Sequence, residues 1–136
     1  ALFKNNSLLM VICDKNDGKD KMLVWAKIYS AIFELPGGIH IGNSIDDLLK
    51  QYPCKEIDFD PIEDEAYFYI TNYSNFKKSY NSLYVFVKSN DKTRPIITDG
   101  STDKSKNFHT NGVVDFFYIH KWFYKFLLYV YDANFA

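Results

Sequence analysis

Arginine is the scarcest charged residue in this sequence. Only Arg94 is arginine among 16 basic residues, and the formal net charge of the 136-residue chain is −1. The bidentate guanidinium groups that commonly bind phosphates and nucleic acids are therefore nearly absent. A nearly neutral chain also has no long-range attraction to a polyanion. Both shortages argue against nucleic acid as a partner.

Cysteine and histidine are also scarce, which limits the metal chemistry that the chain could support. The two cysteines, Cys13 and Cys54, form no C-x-x-C motif and have no histidine pair nearby, so we predict no metal site. No cofactor signature is present either, and we expect no cofactor. The pairing of the two thiols stays open. An extracytoplasmic chain would permit one disulfide, whereas free thiols would pack as small hydrophobic groups.

Long uninterrupted hydrophobic runs are missing as well. The most apolar stretch, 113–131, carries an aspartate, a histidine and two lysines, which is too polar for a membrane span. The chain begins with Ala1 rather than methionine, which suggests a processed N-terminus whose signal peptide has been removed. We therefore expect no transmembrane span, while a lipid anchor on the full-length protein stays open.

Aromatic side chains, by contrast, are abundant. They make up 18% of the residues, with 11 Tyr, 12 Phe and 2 Trp, and hydrophobic residues in total make up 47%. Such a chain should fold rather than remain disordered, and its length fits a single domain over residues 1–136. Tyrosine suits half-buried positions because its ring is apolar while its hydroxyl can stay in water. Tyrosine and phenylalanine both favour strands.

Short hydrophobic runs predict an antiparallel sheet. Strands are predicted for residues 8–13, 22–33, 66–73, 82–89 and 94–100. The first two flank the polar turn 14–21 and should form a hairpin, and so should the next two. The polar segment 99–112 is expected to be a mobile loop.

The aromatic segment 113–132 fits two structures. Its polar residues recur every three or four positions, as on a helix. As strand, its even-numbered positions from Val114 to Val130 form an almost wholly apolar face, and we favour strand because the β-propensity is high. The segment has 20 residues, more than a normal strand, so a bend or bulge near His120 and Lys121 is expected.

The stretch GGIHIGNSIDDLLKQYP, residues 37–53, looks most like a functional motif. Its glycines have the spacing of a phosphate-binding P-loop, but Asn43 stands where the essential lysine would be. The parallel strand–helix repeats of that fold are absent too. Its single histidine, His40, does not provide metal-ligand spacing. The stretch therefore predicts neither a nucleotide site nor a metal site.

Ordinary backbone structure accounts for every residue of this stretch. Gly38 fits a turn, Gly42 permits a positive φ, and Ser44 can cap a helix with Asp47 three residues later. Apolar residues then follow at the spacing of one helix face. The sequence as a whole predicts an α+β fold: an antiparallel sheet of about five to seven strands, with one short amphipathic helix, 44–52, packed on it.

The same stretch resembles an element of small extracytoplasmic lipoproteins that are common in Bacteroidetes, similar to outer-membrane-assembly lipoproteins and β-lactamase-inhibitor-like domains. The matching residues are Gly38, Ile39, Ile41, Gly42, Ser44, Asp46, Asp47, Leu48, Tyr52 and Pro53. The match covers 16 of 136 residues, and those domains often place two helices where this chain has a predicted hairpin. The resemblance implies a periplasmic or outer-envelope location and a binding or scaffolding role, without catalytic residues.

Binding is the function that these observations favour. Tyrosine and tryptophan are frequent in contact surfaces, and the candidates for a protein or glycan partner are Tyr67, Tyr69, Tyr84, Trp122 and Tyr124. An acidic connector, 54–65, is expected to be a solvated loop that could also bind a cation weakly or a basic partner. Its carboxylates are Glu56, Asp58, Asp60, Glu63, Asp64 and Glu65.

Two alternatives to an envelope binding module stay open. The chain could be a cytoplasmic immunity or inhibitor protein whose acidic run faces the basic active site of a toxin. It could also be a small hydrolase, for which the candidate groups are Cys13, Cys54 or a serine with His40, His109 or His120. Because no motif such as G-x-S-x-G is present, we predict that the protein is not an enzyme.

Overall fold

The computed structural model describes residues 2–4, 7–17, 20–70 and 83–120, and the structural statements below concern this part of the chain. Its elements are β1 (Leu2–Lys4), β2 (Ser7–Asp17), β3 (Asp20–Ile28), β4 (Glu34–Leu35), β5 (Ile39–His40), α1 (Ile45–Gln51), β6 (Asp58–Asp60), β7 (Glu65–Ile70), β8 (Leu83–Ser89) and β9 (Gly112–His120). Seven strands form one antiparallel sheet in the order β1-β2-β3-β9-β8-β7-β6, while β4 and β5 pair separately. The predicted α+β class, with five to seven antiparallel strands and one short helix, is confirmed.

Both predicted strand pairs are present. β2 pairs antiparallel with β3, and β7 pairs antiparallel with β8. The first turn is shorter than the predicted 14–21, because β2 continues to Asp17, which pairs with Asp20 at the start of β3. β3 is shorter than the predicted strand 22–33. It ends at Ile28, the Tyr29 amide still donates to the Leu9 carbonyl of β2 at 2.9 Å, and the chain then turns at 31–32. The predicted strand ends at 71–73 and 82 lie outside the described residues.

The motif around Gly42 folds as the sequence predicts. Gly38 and Gly42 have φ values of 82° and 95°, a conformation that residues with a Cβ rarely adopt. Ser44 caps α1, and its Oγ accepts a hydrogen bond from the Asp47 amide at 3.1 Å. The apolar face of the helix is buried, including Leu48, and packs against β9.

The loop 42–44 also completes the sheet. β3 pairs with β9 only as far as Phe117, which leaves the earlier part of β9 without a strand on that side. The Gly42 amide donates to the Val114 carbonyl at 2.9 Å, and the Val114 amide donates to the Asn43 carbonyl at 2.8 Å. The loop therefore takes the place that β3 vacates, and it fixes α1 against the sheet.

Three local predictions are wrong. Residues 94–100 do not form a strand, since their pairing is an isolated bridge between Ile97 and Phe108. The segment 99–112 is not a loose loop, because Asp99 accepts hydrogen bonds from the Ser101 amide, the Ser105 hydroxyl and the Asn107 side chain. The acidic connector is not simply a solvated loop either. It contains β6, which pairs with β7.

The strand prediction for the C-terminal segment is confirmed over β9, but the predicted apolar face is wrong. The pairing of β8 with β9 shifts between Phe86 and Val87, so that one extra residue, Asp115, lies in β9. A bulge of this kind exchanges the two faces of the strand. Val114 and Phe117 consequently both join the core, while Phe116 points to the opposite face. Residues 121–132, with the predicted bend, lie outside the described residues.

The core lies on one side of the sheet. On this side, the inward side chains of the strands pack with residues of α1, of the β4–β5 hairpin and of the segment 89–111. Its fully buried members include Phe33, Ile45, Leu48, Ile57, Phe68, Val85, Phe117 and Ile119. The opposite side of the sheet has a different composition, and the candidate site is built on it.

Candidate binding surface

The second side of the sheet presents aromatic side chains from four neighbouring strands. We call it the aromatic face. Its rings belong to Trp25, Tyr29, Tyr67, Tyr69, Tyr84, Phe86, Phe116 and Tyr118. Residues that pair directly across antiparallel strands point to the same side, so the register alone brings these rings together.

The register arranges the rings in two rows that cross the strands. In the first row, Tyr69 pairs with Tyr84, and Tyr84 pairs with Tyr118. The ring centroids lie 5.0 Å and 5.6 Å apart. These distances are typical of favourable aromatic pairs, which add about 0.5–1.5 kcal/mol each beyond the area that they bury.

The second row forms the floor of the surface. Tyr67 pairs with Phe86, and Phe86 pairs with Phe116. The two phenylalanine rings stack with centroids 4.3 Å apart, and these residues are only 3% and 4% exposed. The phenylalanines are thus covered, while tyrosine occupies the half-buried and exposed positions around them.

Exposure of the tyrosines leaves their hydroxyls available for hydrogen bonding. Tyr69 is 37% exposed, and Tyr67 and Tyr84 are half-buried. Partial burial raises the pKa of Tyr67 to about 12 and also raises the pKa of Tyr84. Both hydroxyls therefore stay protonated at physiological pH and can donate hydrogen bonds to a ligand.

A groove of about 590 Å³ runs over this face. Its lining includes Trp25, Tyr67, Tyr84 and Tyr118 from the sheet, and Ile62 and Glu63 from the turn after β6. Asp60 holds this turn, because its Oδ1 accepts hydrogen bonds from the Ile62 amide at 2.8 Å and the Glu63 amide at 3.2 Å. Ile62 lies at the tip of the turn and is 92% exposed. The groove thus has an aromatic wall and an apolar rim.

An ion pair fastens the turn to the sheet. The Lys27 ammonium binds the Glu63 carboxylate and lies 5.9 Å from the centroid of the Trp25 ring and 5.7 Å from that of Phe116. Burial lowers the pKa of Lys27, but the hydrogen bond and the charge of Glu63 outweigh it, so that the pKa is raised. Lys27 therefore remains an ammonium ion held between aromatic rings and a carboxylate.

Two carboxyl groups meet beside the phenylalanine floor. Glu65 lies within hydrogen-bonding reach of Asp115, which also pairs with Lys88 at 3.2 Å. Burial first, and then the bond to Asp115 and its negative charge, raise the pKa of Glu65 to about 8. Glu65 Oε2 is buried and has no hydrogen-bond partner among the described residues. With its pKa raised to about 8, Glu65 carries a proton at neutral pH and gives the pair a donor, which two carboxylates would lack.

The predicted binding residues fall partly on this surface. Tyr67, Tyr69 and Tyr84 lie side by side on the aromatic face, while Trp122 and Tyr124 lie outside the described residues. Sequence reasoning missed Trp25 and Tyr118. The alternation of WAKIY, in which Trp25, Lys27 and Tyr29 share one face of β3, was the available signal.

The predicted acidic residues divide between two places. Asp58 and Asp60 pair with Tyr67 and Glu65 and so point to the aromatic face. Glu63 joins them from the turn. The exposed Asp64 has a φ of 55° in that turn. Glu56 and Asp58 also line a second cavity at the β6 edge, together with Lys55, Lys104 and Lys106.

The second cavity contains one of the two cysteines. It measures about 730 Å³, and Cys54, Tyr69 and Lys104 are among its lining residues. The Cys54 thiol is free, and burial raises its pKa to about 11, so it is a weak nucleophile at neutral pH. Cys13 is on β2, and four strands lie between β2 and β6 in the sheet.

The histidines that a hydrolase would use have local contacts. His40 Nδ1 is 2.8 Å from the carbonyl of the next residue, Ile41. His109 Nδ1 accepts a hydrogen bond from the Asn111 amide at 3.1 Å. Within the described ranges, the acidic, cysteine and histidine side chains form no group of three or more that could hold a metal ion.

The described part of the chain has no helix whose length and hydropathy would let it cross a membrane. Comparison with protein-family models, with curated proteins and with solved structures finds no match for this chain.

Proposed function

We propose that the protein is a non-catalytic binding module that uses the aromatic face as its contact surface. The observation that carries this proposal is the two rows of aromatic rings beside an open groove. Large, rigid aromatic side chains are the residues that contribute most to binding in protein interfaces.

The distribution of residue types supports binding over a purely structural role. A face that served only to stabilise the sheet would gain most from side chains without polar atoms. Here phenylalanine occupies the covered floor, whereas the half-buried and exposed positions hold Tyr67, Tyr69 and Tyr84, which carry hydroxyls. A tyrosine at such a position can contact a partner through its ring and donate a hydrogen bond at little entropic cost.

The partner that we propose is a protein, with a glycan as the alternative, and the proposed compartment is the bacterial periplasm or outer envelope. The compartment rests on the resemblance of the stretch 38–53 to lipoprotein elements. A cytoplasmic inhibitor of a toxin is the second candidate. It is favoured by the carboxylates of Asp58, Asp60 and Glu63, which border the aromatic rings and could face a basic surface.

Site-specific photo-crosslinking in the source cells tests the proposal. A photoreactive phenylalanine analogue replaces Tyr69, and the same analogue at the exposed Glu34 of β4 serves as the matched control. We expect a discrete adduct from position 69 that Tyr84→Leu weakens. Fractionation of the same cells then distinguishes an envelope protein from a cytoplasmic inhibitor.

Two results would count against the proposal. Adducts of equal yield from positions 69 and 34 would mean that the aromatic face has no preference for a partner. An adduct that Tyr84→Leu leaves unchanged, in a variant with unaltered circular dichroism, would mean that the neighbouring ring takes no part in binding.

A further inference from the structure

We propose that the aromatic face recognises a basic protein segment, with a lysine or arginine side chain of the partner lying over Tyr67, Tyr69 and Tyr84 and against the carboxylates of Asp58 and Asp60. This inference rests on the proposed binding function and specifies the chemistry of the partner.

The molecule already contains one example of this arrangement. At one end of the groove, the Lys27 ammonium lies over Trp25 and Phe116 and pairs with Glu63. A cation held between aromatic rings and a carboxylate is stabilised by both, and more strongly when it is partly desolvated.

The β6 side of the same face provides the same groups without an ion-paired cation among the described residues. Asp58 pairs directly with Tyr67, and the Tyr67 and Tyr69 rings both contact Tyr84. The ion pairs in the described ranges are Lys27 with Glu63 and Lys88 with Asp115, so within this part of the chain neither Asp58 nor Asp60 has a cationic partner within 4 Å. Lys104 lowers the pKa of Asp58 from a longer distance, but burial raises it more.

Charge on the aromatic face selects among the classes of partner. Five carboxyl groups, of Asp58, Asp60, Glu63, Glu65 and Asp115, share this face with Lys27 and Lys88, and both ammonium groups are already paired. An anionic segment would be repelled. In the described part of the chain, a neutral glycan would leave Asp60 without a nearby cation and Asp58 with only the more distant Lys104. A basic segment compensates both charges, and the exposed Ile62 offers an apolar contact beside the groove.

Titration with defined peptides tests this inference on the folded chain. The probe is an acetylated 12-residue peptide that alternates arginine with leucine, and the control replaces each arginine with glutamate. Binding is followed by heteronuclear NMR shifts of the backbone amides. We expect shifts in β6, β7 and β8 with the basic peptide only, and an affinity that falls as salt is added.

Isosteric variants separate the two contributions. Asp58→Asn with Asp60→Asn removes both charges, while the amide oxygen at position 60 can still hold the turn. We expect this pair to weaken binding by about tenfold. Tyr69→Phe with Tyr84→Phe should retain most of the affinity, whereas Tyr69→Leu with Tyr84→Leu should lose about tenfold. Glu34→Gln, on β4, is the charge-matched control and should change nothing.

The possible results separate this inference from the proposed function. Equal binding of both peptides, or binding that the Asn and Leu variants leave unchanged, overturns the basic-segment inference. The basic peptide could fail to bind while a neutral glycan array binds the protein, and the Tyr69→Leu with Tyr84→Leu variant could abolish the glycan binding. This result also overturns the basic-segment inference, but it preserves the aromatic face as a binding surface. Failure of both probes, with equal crosslinking from positions 69 and 34, overturns both.

Discussion

Replacement of Glu65 by glutamine should make the protein more stable at alkaline pH. In the native chain, burial and the neighbouring Asp115 carboxyl raise the pKa of Glu65 from 4.5 to about 8. The unfolded chain lacks this environment, so its Glu65 keeps an ordinary pKa. Between these two values, the folded state binds a proton that the unfolded state has released. The stability that this proton provides is complete below pH 4.5 and is lost as the pH rises to about 8.

The size of the effect follows from the shift and from the exposure of the pair. Each pKa unit corresponds to about 1.4 kcal/mol of unfolding free energy. The full shift overstates the result, because the side chain of Lys88, which pairs with Asp115, is 57% exposed and water screens the charges. We expect Glu65→Gln to gain about 2 kcal/mol relative to the native chain between pH 5 and pH 8. The glutamine amide can donate to Asp115 at every pH, as Glu65 does only below its raised pKa of about 8.

Urea denaturation of both proteins at several pH values between 5 and 8 measures this difference. Titrating groups that do not contact Glu65 affect the two proteins alike, so the difference between their unfolding free energies isolates the contact of Glu65 with Asp115. Glu34→Gln, at an exposed position on β4, should give a difference that does not change with pH. A difference for Glu65→Gln that stays constant, or that increasingly favours glutamate as the pH rises, would refute the interpretation that folded Glu65 holds a proton at neutral pH.

Further substitutions test the backbone and the thiol. Ser44→Ala removes the hydrogen bond from the Asp47 amide and should lower the free energy of unfolding, measured by urea denaturation, by about 1 kcal/mol. An unchanged denaturation midpoint would mean that the Ser44 cap does not stabilise the helix. Gly112→Ala would place its Cβ 2.3 Å from the Lys88 carbonyl oxygen. It should cost about 3 kcal/mol, and a loss below about 0.5 kcal/mol would show that the strands separate easily. Cys54, with its pKa raised to about 11 by burial, should react with iodoacetamide at pH 8 at least about 100-fold more slowly than an exposed cysteine. The measurement uses a variant in which serine replaces Cys13, so that only Cys54 can react. Rapid alkylation of this variant would contradict the burial of the Cys54 thiol.

Local chemistry explains why the helix motif could be predicted. A positive-φ glycine, a capping serine and a run of apolar residues at helical spacing act within a few residues of one another. Gly42 and Ser44 consequently have the predicted roles. The same reasoning failed for 94–100, because Ile96 and Ile97 point into the core from a loop whose hydrogen bonds run to 107–109. Apolar, β-branched residues show that a segment is buried, but not which segment it pairs with.

In the acidic connector, the sequence contained evidence for a strand and a turn, but the high charge of the segment favoured a loop. Pro61 indicated a break, and the break is the turn between β6 and β7. The residues before it, Asp58, Phe59 and Asp60, alternate in the manner of a strand with one side toward the core and the other toward the aromatic face. Their charge favoured a solvated loop in the sequence interpretation. The neighbouring Tyr67 and the turn instead hold those carboxylates at one edge of the candidate site.

Because of the bulge in β9, the sequence could not show which residues of this strand lie on the aromatic face. The residues VVDFFYI are apolar on both sides of the strand, so no polar contrast identifies the side that faces the core. Only the pairing with β8 shows that Asp115 is the extra residue. Without that shift, Phe116 would have been assigned to the core and Phe117 to the opposite face. The tyrosines of the site could be predicted from the sequence, but the phenylalanines beneath them, Phe86 and Phe116, could not.

The loop 42–44 has a consequence for how parts of the protein open and close. Because the Val114 amide bonds to Asn43 rather than to a strand, its exchange with solvent deuterium requires the loop to leave β9. The same movement would undock α1, whose cap is Ser44. Val114 and the amides of the helix should therefore exchange together, as one cooperative unit. Amides in the β7–β8 pairing, beneath the aromatic face, belong to a separate unit with its own opening free energy.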